Sequence, residues 1–174
     1  MRVGMDSREY GFEGDGPDVD ATAAVSREST LVGDVSVAAD VTVWPGAVLR
    51  GDVGPVRLEE GSAIGDNAVL HASTVASGGM VGHGAVLNDA TVGQEAMVGF
   101  NATVSEATVG ARSLVAMGTV VPSGYEVPAD SFVRGTPARV TPLAETDIDR
   151  DAVFEEFASG EYAHLRDGHD DLFG

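Results

Sequence analysis

The chain holds four histidines and no cysteine, so a metal site would have to draw on imidazole, carboxylate or carbonyl oxygen, and thiolate and disulfide chemistry are excluded. His71 and His83 fall in a middle region rich in Val, Ala and Gly, while His164 and His169 lie in the tail. Asn88 follows His71 by 17 residues, and His83 follows Asp66 by the same 17. That shared interval becomes chemistry only if the fold sets residues 17 apart side by side.

The middle region is built to do so. From Val25 the chain reads VSREST, LVGDVS, VAADVT, VWPGAV, LRGDVG, led by Val25, Leu31, Val37, Val43 and Leu49 at intervals of six. After PVR it resumes as LEEGSA, IGDNAV, LHASTV, led by Leu58, Ile64 and Leu70. A longer period is laid over this: VGHGAVLNDATVG starts at Val81, VGFNATVSEATVG at Val98 and VAMGTVVPSG at Val115, a step of 17. Each hexad supplies a short strand and a turn. Its leading aliphatic points inward, a small residue fills the corner, and Gly, Asp or Asn follows where the backbone bends. One coil cannot bury its own apolar face, so stability must come from stacking several. Apolar positions at six exclude an amphipathic α-helix, which needs i, i+3, i+4. The expected fold is an all-β solenoid, a parallel β-helix of triangular coils with one corner trimmed.

Three segments follow from the pattern. Residues 1–17 are polar and Gly-rich and read as a flexible arm; 18–141 form the β-helix; 142–174 form a helical segment packed outside it. Pro122, Pro128, Pro137 and Pro142 mark the exit from the coils. Val153, Phe154, Phe157, Tyr162 and Leu165 can share one helix face after Asp147 or Asp149 as cap, with Gly160 as a break. The terminal HDDLFG reads as frayed.

Stacking at 17 residues places Asn88 above His71 on one outer face, with side chains roughly 5–7 Å apart. It also places His83 above Asp66, and Phe100 above His83. A histidine on such a face is most often a solvated or hydrogen-bonded surface residue, so spacing alone leaves that and metal ligation both open.

The segments WPGAVLRGD (44–52), DNAVLH (66–71), VGHGAVL (81–87) and RGTPARV (134–140) resemble the signature segments of γ-class carbonic anhydrases, in order and at similar spacing, over roughly residues 10–168. The resemblance implies left-handed coils. It also implies a homotrimer with three sites, each between two subunits, where Zn²⁺ (or Fe²⁺) is held by three histidines, two from one chain and one from its neighbour. His71 and His83 match the first two ligand positions, and the third falls on Asn88. Ala63 and Gly65 stand where the family has Asn and Gln. Arg50, Asp52 and Asp66 are retained and are the catalytic candidates; the resemblance pairs Arg50 with Asp66 across the interface and turns it toward bicarbonate. Zinc on three histidines lowers the pKa of bound water to about 7, the chemistry of CO₂ hydration. An asparagine offers only a neutral amide oxygen, a poorer ligand for zinc than imidazole.

The expected function is therefore a γ-carbonic-anhydrase-like trimer with an interfacial site of His71, His83 and Asn88, acting on CO₂ or bicarbonate with weakened or lost activity. Two alternatives stay open. One is a non-catalytic binding or assembly module in which Arg50 and the aspartates hold the trimer together. The other is an acyltransferase using acyl-CoA, for which Arg112, Arg134 and Arg139 are the available phosphate-binding groups.

Charge narrows the partners. There are 28 acidic residues against 10 basic ones, all arginine, for a net charge of −18. Such a surface repels nucleic acid and anionic membranes. The acids are dispersed, not gathered in a tail, which together with the lack of lysine points to concentrated salt and a halophilic cytoplasm. No run approaches the ~18 apolar residues of a membrane span, and the first residues carry no apolar signal core, so a soluble cytoplasmic protein is expected. No phosphate loop, nucleophile–base motif or dinucleotide fingerprint is present.

Overall fold

A computed structural model describes residues 8–158 and 165–173. Its body is a left-handed parallel β-helix of about seven coils. One face is an eight-stranded sheet. Seven of those strands are parallel, from Ala24–Val25 through Thr42–Val43, Ala63–Ile64, Met80–Val81, Met97–Val98 and Leu114–Val115 to Ser131–Arg134. The eighth, Arg139–Pro142, turns back antiparallel on Ser131–Arg134 and covers the last edge. The other two faces share one twelve-stranded sheet, because Thr30–Val37 and Val48–Leu58 run unbroken round the corner between them.

The leading aliphatics fill the prism as their spacing predicts. Leu31, Leu49, Ile64, Leu70, Leu87 and Val104 have no solvent exposure. The corner alanines Ala47, Ala68, Ala85 and Ala102 are equally buried. Each fully buried Val, Leu or Ile contributes about 1.5–3 kcal/mol relative to exposure. The coil step is 17 through the centre: Met80 pairs with Met97, and Met97 with Leu114. Upstream it lengthens, since Val43 pairs with Ile64, twenty-one residues on. The excess sits in a bulge: Gly33 faces Gly51, yet Val35 faces Val56. Arg57 grips the base of this bulge with a forked pair of bonds to Asp34, Nη1 to Oδ1 at 2.7 Å and Nη2 to Oδ2 at 2.9 Å.

Corner backbone explains the choice of residues there. At the corner after the eight-stranded face, Asn67, Gly84, Asn101 and Gly118 all have φ between +55° and +68°, a region that Gly enters freely and Asn tolerates. A second demand is proximity. A methyl group on Gly93 would lie 2.6 Å from the Ala111 nitrogen and 2.8 Å from the Gly110 carbonyl carbon, both backbone atoms of the next coil.

Two expectations at the ends need correction. Within the segment 1–17 expected as a flexible arm, Arg8–Tyr10 is a strand in parallel register with Thr30–Val32; just after it, at the start of the expected β-helix, Asp18–Val19 pairs with Ser36–Val37. Residues 1–7 lie outside the described residues. At the other end, helix α1 spans Arg150–Ala158. Asp149 caps it, its Oδ1 accepting the Ala152 N–H at 3.0 Å. The tail read as frayed is instead a short helix, α2, Asp170–Phe173. Phe173 and His169 both meet Trp44 edge-on, at 5.3 and 6.3 Å between ring centres. The Arg27 N–H also donates to the Leu172 carbonyl at 3.2 Å. Polar composition hid this docking because ring contacts on Trp44, a hydrogen bond from Arg166 Nη1 to Thr42 Oγ1 at 3.4 Å and a backbone bond carry it, not a periodic apolar face. Gly160, Tyr162 and His164 lie outside the described residues. Among the described residues, no helix is long and apolar enough to cross a membrane.

Replacing Gly93 by alanine forces two backbones apart without touching the candidate site. Chemical denaturation should show a loss of about 1–3 kcal/mol, the usual cost of overpacking; an unchanged midpoint would show that the coils are not in such close contact.

Candidate functional site

The second face carries an outward row of polar side chains in strict register. Arg50 stands opposite His71, His71 opposite Asn88, and Asn88 opposite Ser105. Parallel pairing holds these side chains on one side of the sheet because alternate residues face the same way. The amide oxygen of Asn88 lies 3.1 Å from Nδ1 of His71, well inside the 5–7 Å separation expected from spacing. Asn88 Nδ2 reaches Ser105 Oγ at 3.5 Å. On the other side of the ring, Asp52 Oδ1 lies 3.2 Å from His71 Nε2. Asp52 also accepts from Arg50 Nη2 at 2.7 Å and Nε at 3.3 Å.

The bulge delivers Asp52 to this row. Extra residues between Gly51 and Val56 let the chain step off the regular ladder. The Asp52 side chain is left 17% exposed beside His71 at 25%, so this pair is less open to solvent than His83 and Asp66 at the corner. Hydrogen bonding from Arg50 holds the Asp52 carboxyl below the usual carboxylate range, against the opposing pull of partial burial. Asp34 is lowered in the same way by its hydrogen bond from Arg57.

Asp66 and His83 form a second group, at the corner between the eight-stranded face and the His71 face. His83 Nδ1 lies 2.8 Å from Asp66 Oδ2 and 3.0 Å from the Asp66 backbone nitrogen. A proton on Nδ1 would go to the carboxylate, and a lone pair there would accept the backbone N–H. Either way Nδ1 is engaged, which leaves Nε2 as the ring nitrogen available to a ligand. Phe100 stacks on the other face of the imidazole at 4.8 Å and 19° between planes.

The six candidate residues thus fall into two sets. Arg50, Asp52, His71 and Asn88 meet on one face; Asp66 and His83 meet at a corner. Among the described residues of one chain, no group of three or more histidine, aspartate or glutamate side chains could hold a metal ion. The Asp52–His71 contact escaped sequence reasoning because the bulge breaks the 17-residue count. Ser105 was within reach of that count, one coil beyond Asn88. Next to the corner group, a cavity of about 830 Å³ lies between the coils and the C-terminal segment, with Met80, Met97, Phe100, Phe154, Phe157 and His83 among its walls.

Coil geometry and repeat together define a hexapeptide-repeat, left-handed β-helix protein. No family model matches the chain. Over 65 residues, 37% of the chain, it is 42% identical to Carnitine operon protein CaiE of a Proteus species, a match that takes in 33% of that protein. Over 64 residues it is 34% identical to a carbonic anhydrase of Geobacillus kaustophilus, covering 35% of that protein. The chain therefore spans about a third of the length of the curated relatives it matches. A crystal structure of a hexapeptide transferase family protein from Anaplasma phagocytophilum covers 93% of this chain and 98% of its own, at 27% identity and a TM-score of 0.84. Over part of its length, then, the chain is related to CaiE and to carbonic anhydrase.

Arg50→Ala should let the Asp52 carboxyl titrate closer to its ordinary range, read by carboxyl NMR. The depressed value means that Asp52 favours the fold at neutral pH and loses that contribution as pH falls through the folded value. The acid limb of the stability curve should therefore be shallower in the variant. An unmoved Asp52 titration would show that Arg50 is not its partner in solution.

Proposed function

We propose that this protein is a γ-carbonic-anhydrase-like homotrimer whose interfacial site binds Zn²⁺ or Fe²⁺ weakly and hydrates CO₂ slowly. His71 and Asn88 of one subunit and His83 of a neighbour would hold the ion. The single observation that carries this reading is the in-register contact of His71 Nδ1 with Asn88 Oδ1 at 3.1 Å, which makes the amide the neighbour of the first ligand.

The donor set fits a divalent ion, with two reasons for weak binding. One donor is an amide oxygen in place of imidazole. The other reason is that both nitrogens of His71 already face an acceptor, Asp52 at Nε2 and Asn88 at Nδ1, so ligation at either one displaces a hydrogen bond. A bound ion would supply Lewis acidity, lowering the pKa of water far enough for attack on CO₂ near neutral pH. Asp52 and Asp66 would fix the rings of His71 and His83, as carboxylates behind ligating histidines do. Arg50, 48% exposed at its side chain, would face bicarbonate and pair with Asp66 of a neighbouring subunit. The dispersed charge of −18, with arginine as the sole strong base, suits a cytoplasm of high salt.

A second reading is acyl transfer from acyl-CoA; the Anaplasma relative is named a hexapeptide transferase family protein, which is consistent with group transfer. Arg134 and Arg139 stand opposite each other across the terminal hairpin, and both are exposed, as a site for CoA phosphates would need. Arg112 does not serve, because Glu95, Asp130 and Asp151 already engage it.

Titration of the purified protein with Zn²⁺ in concentrated salt, alongside stopped-flow CO₂ hydration, separates these. Asn88→His should tighten zinc binding by about tenfold or more and raise hydration. Unchanged zinc affinity in that variant would contradict the site. Acetyl-CoA binding that Arg134→Glu abolishes would favour the transferase reading instead.

A further inference from the structure

His83 sits on a turn, and its side chain is 48% exposed. An imidazole in that position ordinarily rotates. Here its freedom is removed from three directions. Below, the ring leans back over Gly65, where a methyl group would lie 2.8 Å from Nδ1. At the edge, Asp66 engages Nδ1. Above, Phe100 covers the ring face at 4.8 Å. Phe100 repeats the same posture one coil on: it leans back over Gly82, where a methyl group would lie 2.8 Å from its Cδ1. Its outer side is met edge-on by Phe157 of α1, at 6.4 Å and 83° between planes.

We infer that Phe157, acting through Phe100, is a positioning residue that fixes the His83 ring with Nε2 outward, so that the C-terminal helix controls the geometry of the interfacial site. The imidazole needs a flat surface above it to stay parallel to the coil, and Phe100 supplies that surface. Phe100 would itself be loose at an exposed corner without a wall, and Phe157 supplies the wall. The helix is rigid enough to act as one. Arg150 at its start is 7% exposed, lies 4.2 Å above the Phe154 ring, and bonds to the Glu95 carbonyl and to Asp151. Arg112 ties Asp151 back to the coils at 3.0 Å. A helix held in this way transmits its position to His83 through two aromatic contacts. Phe154, one turn away, rests on Arg150 and supplies an internal comparison.

The role at the site rests on the proposed ligation by His83, but the positioning does not, and the experiment keeps the two apart. Histidine labelled with ¹³C and ¹⁵N is introduced into the full chain, and the His83 ring is assigned by its loss in His83→Gln. In the metal-free protein the His83 ring protons should be shifted upfield by the Phe100 face. Phe100→Leu should abolish that shift, Phe157→Ala should reduce it, Phe157→Tyr should preserve it, and Phe154→Ala should leave it in place. In the zinc titration Phe157→Ala should weaken binding by about tenfold, the scale of lost support behind a ligand. The inference is overturned if Phe157→Ala lowers the melting temperature yet leaves the His83 resonances unmoved. It is equally overturned if Phe154→Ala moves them as far as Phe157→Ala does. Resonances that respond as expected in a protein that binds no zinc would uphold the positioning and refute the ligand role.

Discussion

Every coil of this prism lends its backbone N–H groups to the carbonyls of the next: Met80 to Ala96, Gly82 to Val98, Val86 to Ala102. The corners return the favour, with Glu95 donating to Ser77 and Asn101 to His83. Backbone groups of a buried ladder have no other partners, so each coil is held in one register against its neighbours. The interior follows from that register, because aliphatic residues 17 apart then stack into continuous columns. So does the exterior. His71, Asn88 and Ser105 form a row because their backbones do.

The same constraint explains why the candidate residues of one chain fall into two separate groups. His71 and Asn88 share a flat face; Asp66 and His83 share the adjoining corner. Register binds residues within a column tightly but cannot bring a corner round onto a face. In the proposed trimer a second subunit would do so, approaching the outward, half-buried polar row on the His71 face. Within each part, the polar atoms are already satisfied by one another. Asp52 and Asn88 flank the imidazole of His71, and Asp66 takes Nδ1 of His83. This stabilises the protein in the absence of a ligand and sets the competition that any ion must win.

Much of this was legible in the sequence because a solenoid turns a count into a distance. Val81, Val98 and Val115 gave the step, and the step alone placed Asn88 on His71 and His83 on Asp66. What escaped was whatever departs from the step. The bulge at 51–56 inserts residues that carry no periodic signal, so Asp52 reached His71 unannounced. The strand at Arg8–Tyr10 lacks aliphatic leaders; it pairs through backbone register with Thr30–Val32 and through the ion pair of Arg8 with Glu28 at 3.3 Å, neither of which leaves a periodic signal. The tail docks through Phe173 and His169 on Trp44, a match of ring to ring that no spacing rule encodes. Left-handedness came from family resemblance, since the period of six is indifferent to hand.

In the proposed trimer, two half-sites on separate parts of the coil meet between subunits. Crystals grown with zinc in concentrated salt and measured at the zinc absorption edge would reveal that meeting. The expected result is a trimer with anomalous density flanked by His71 and Asn88 of one subunit and His83 of the next. A monomer, or zinc bound away from these three side chains, would rule out a shared site.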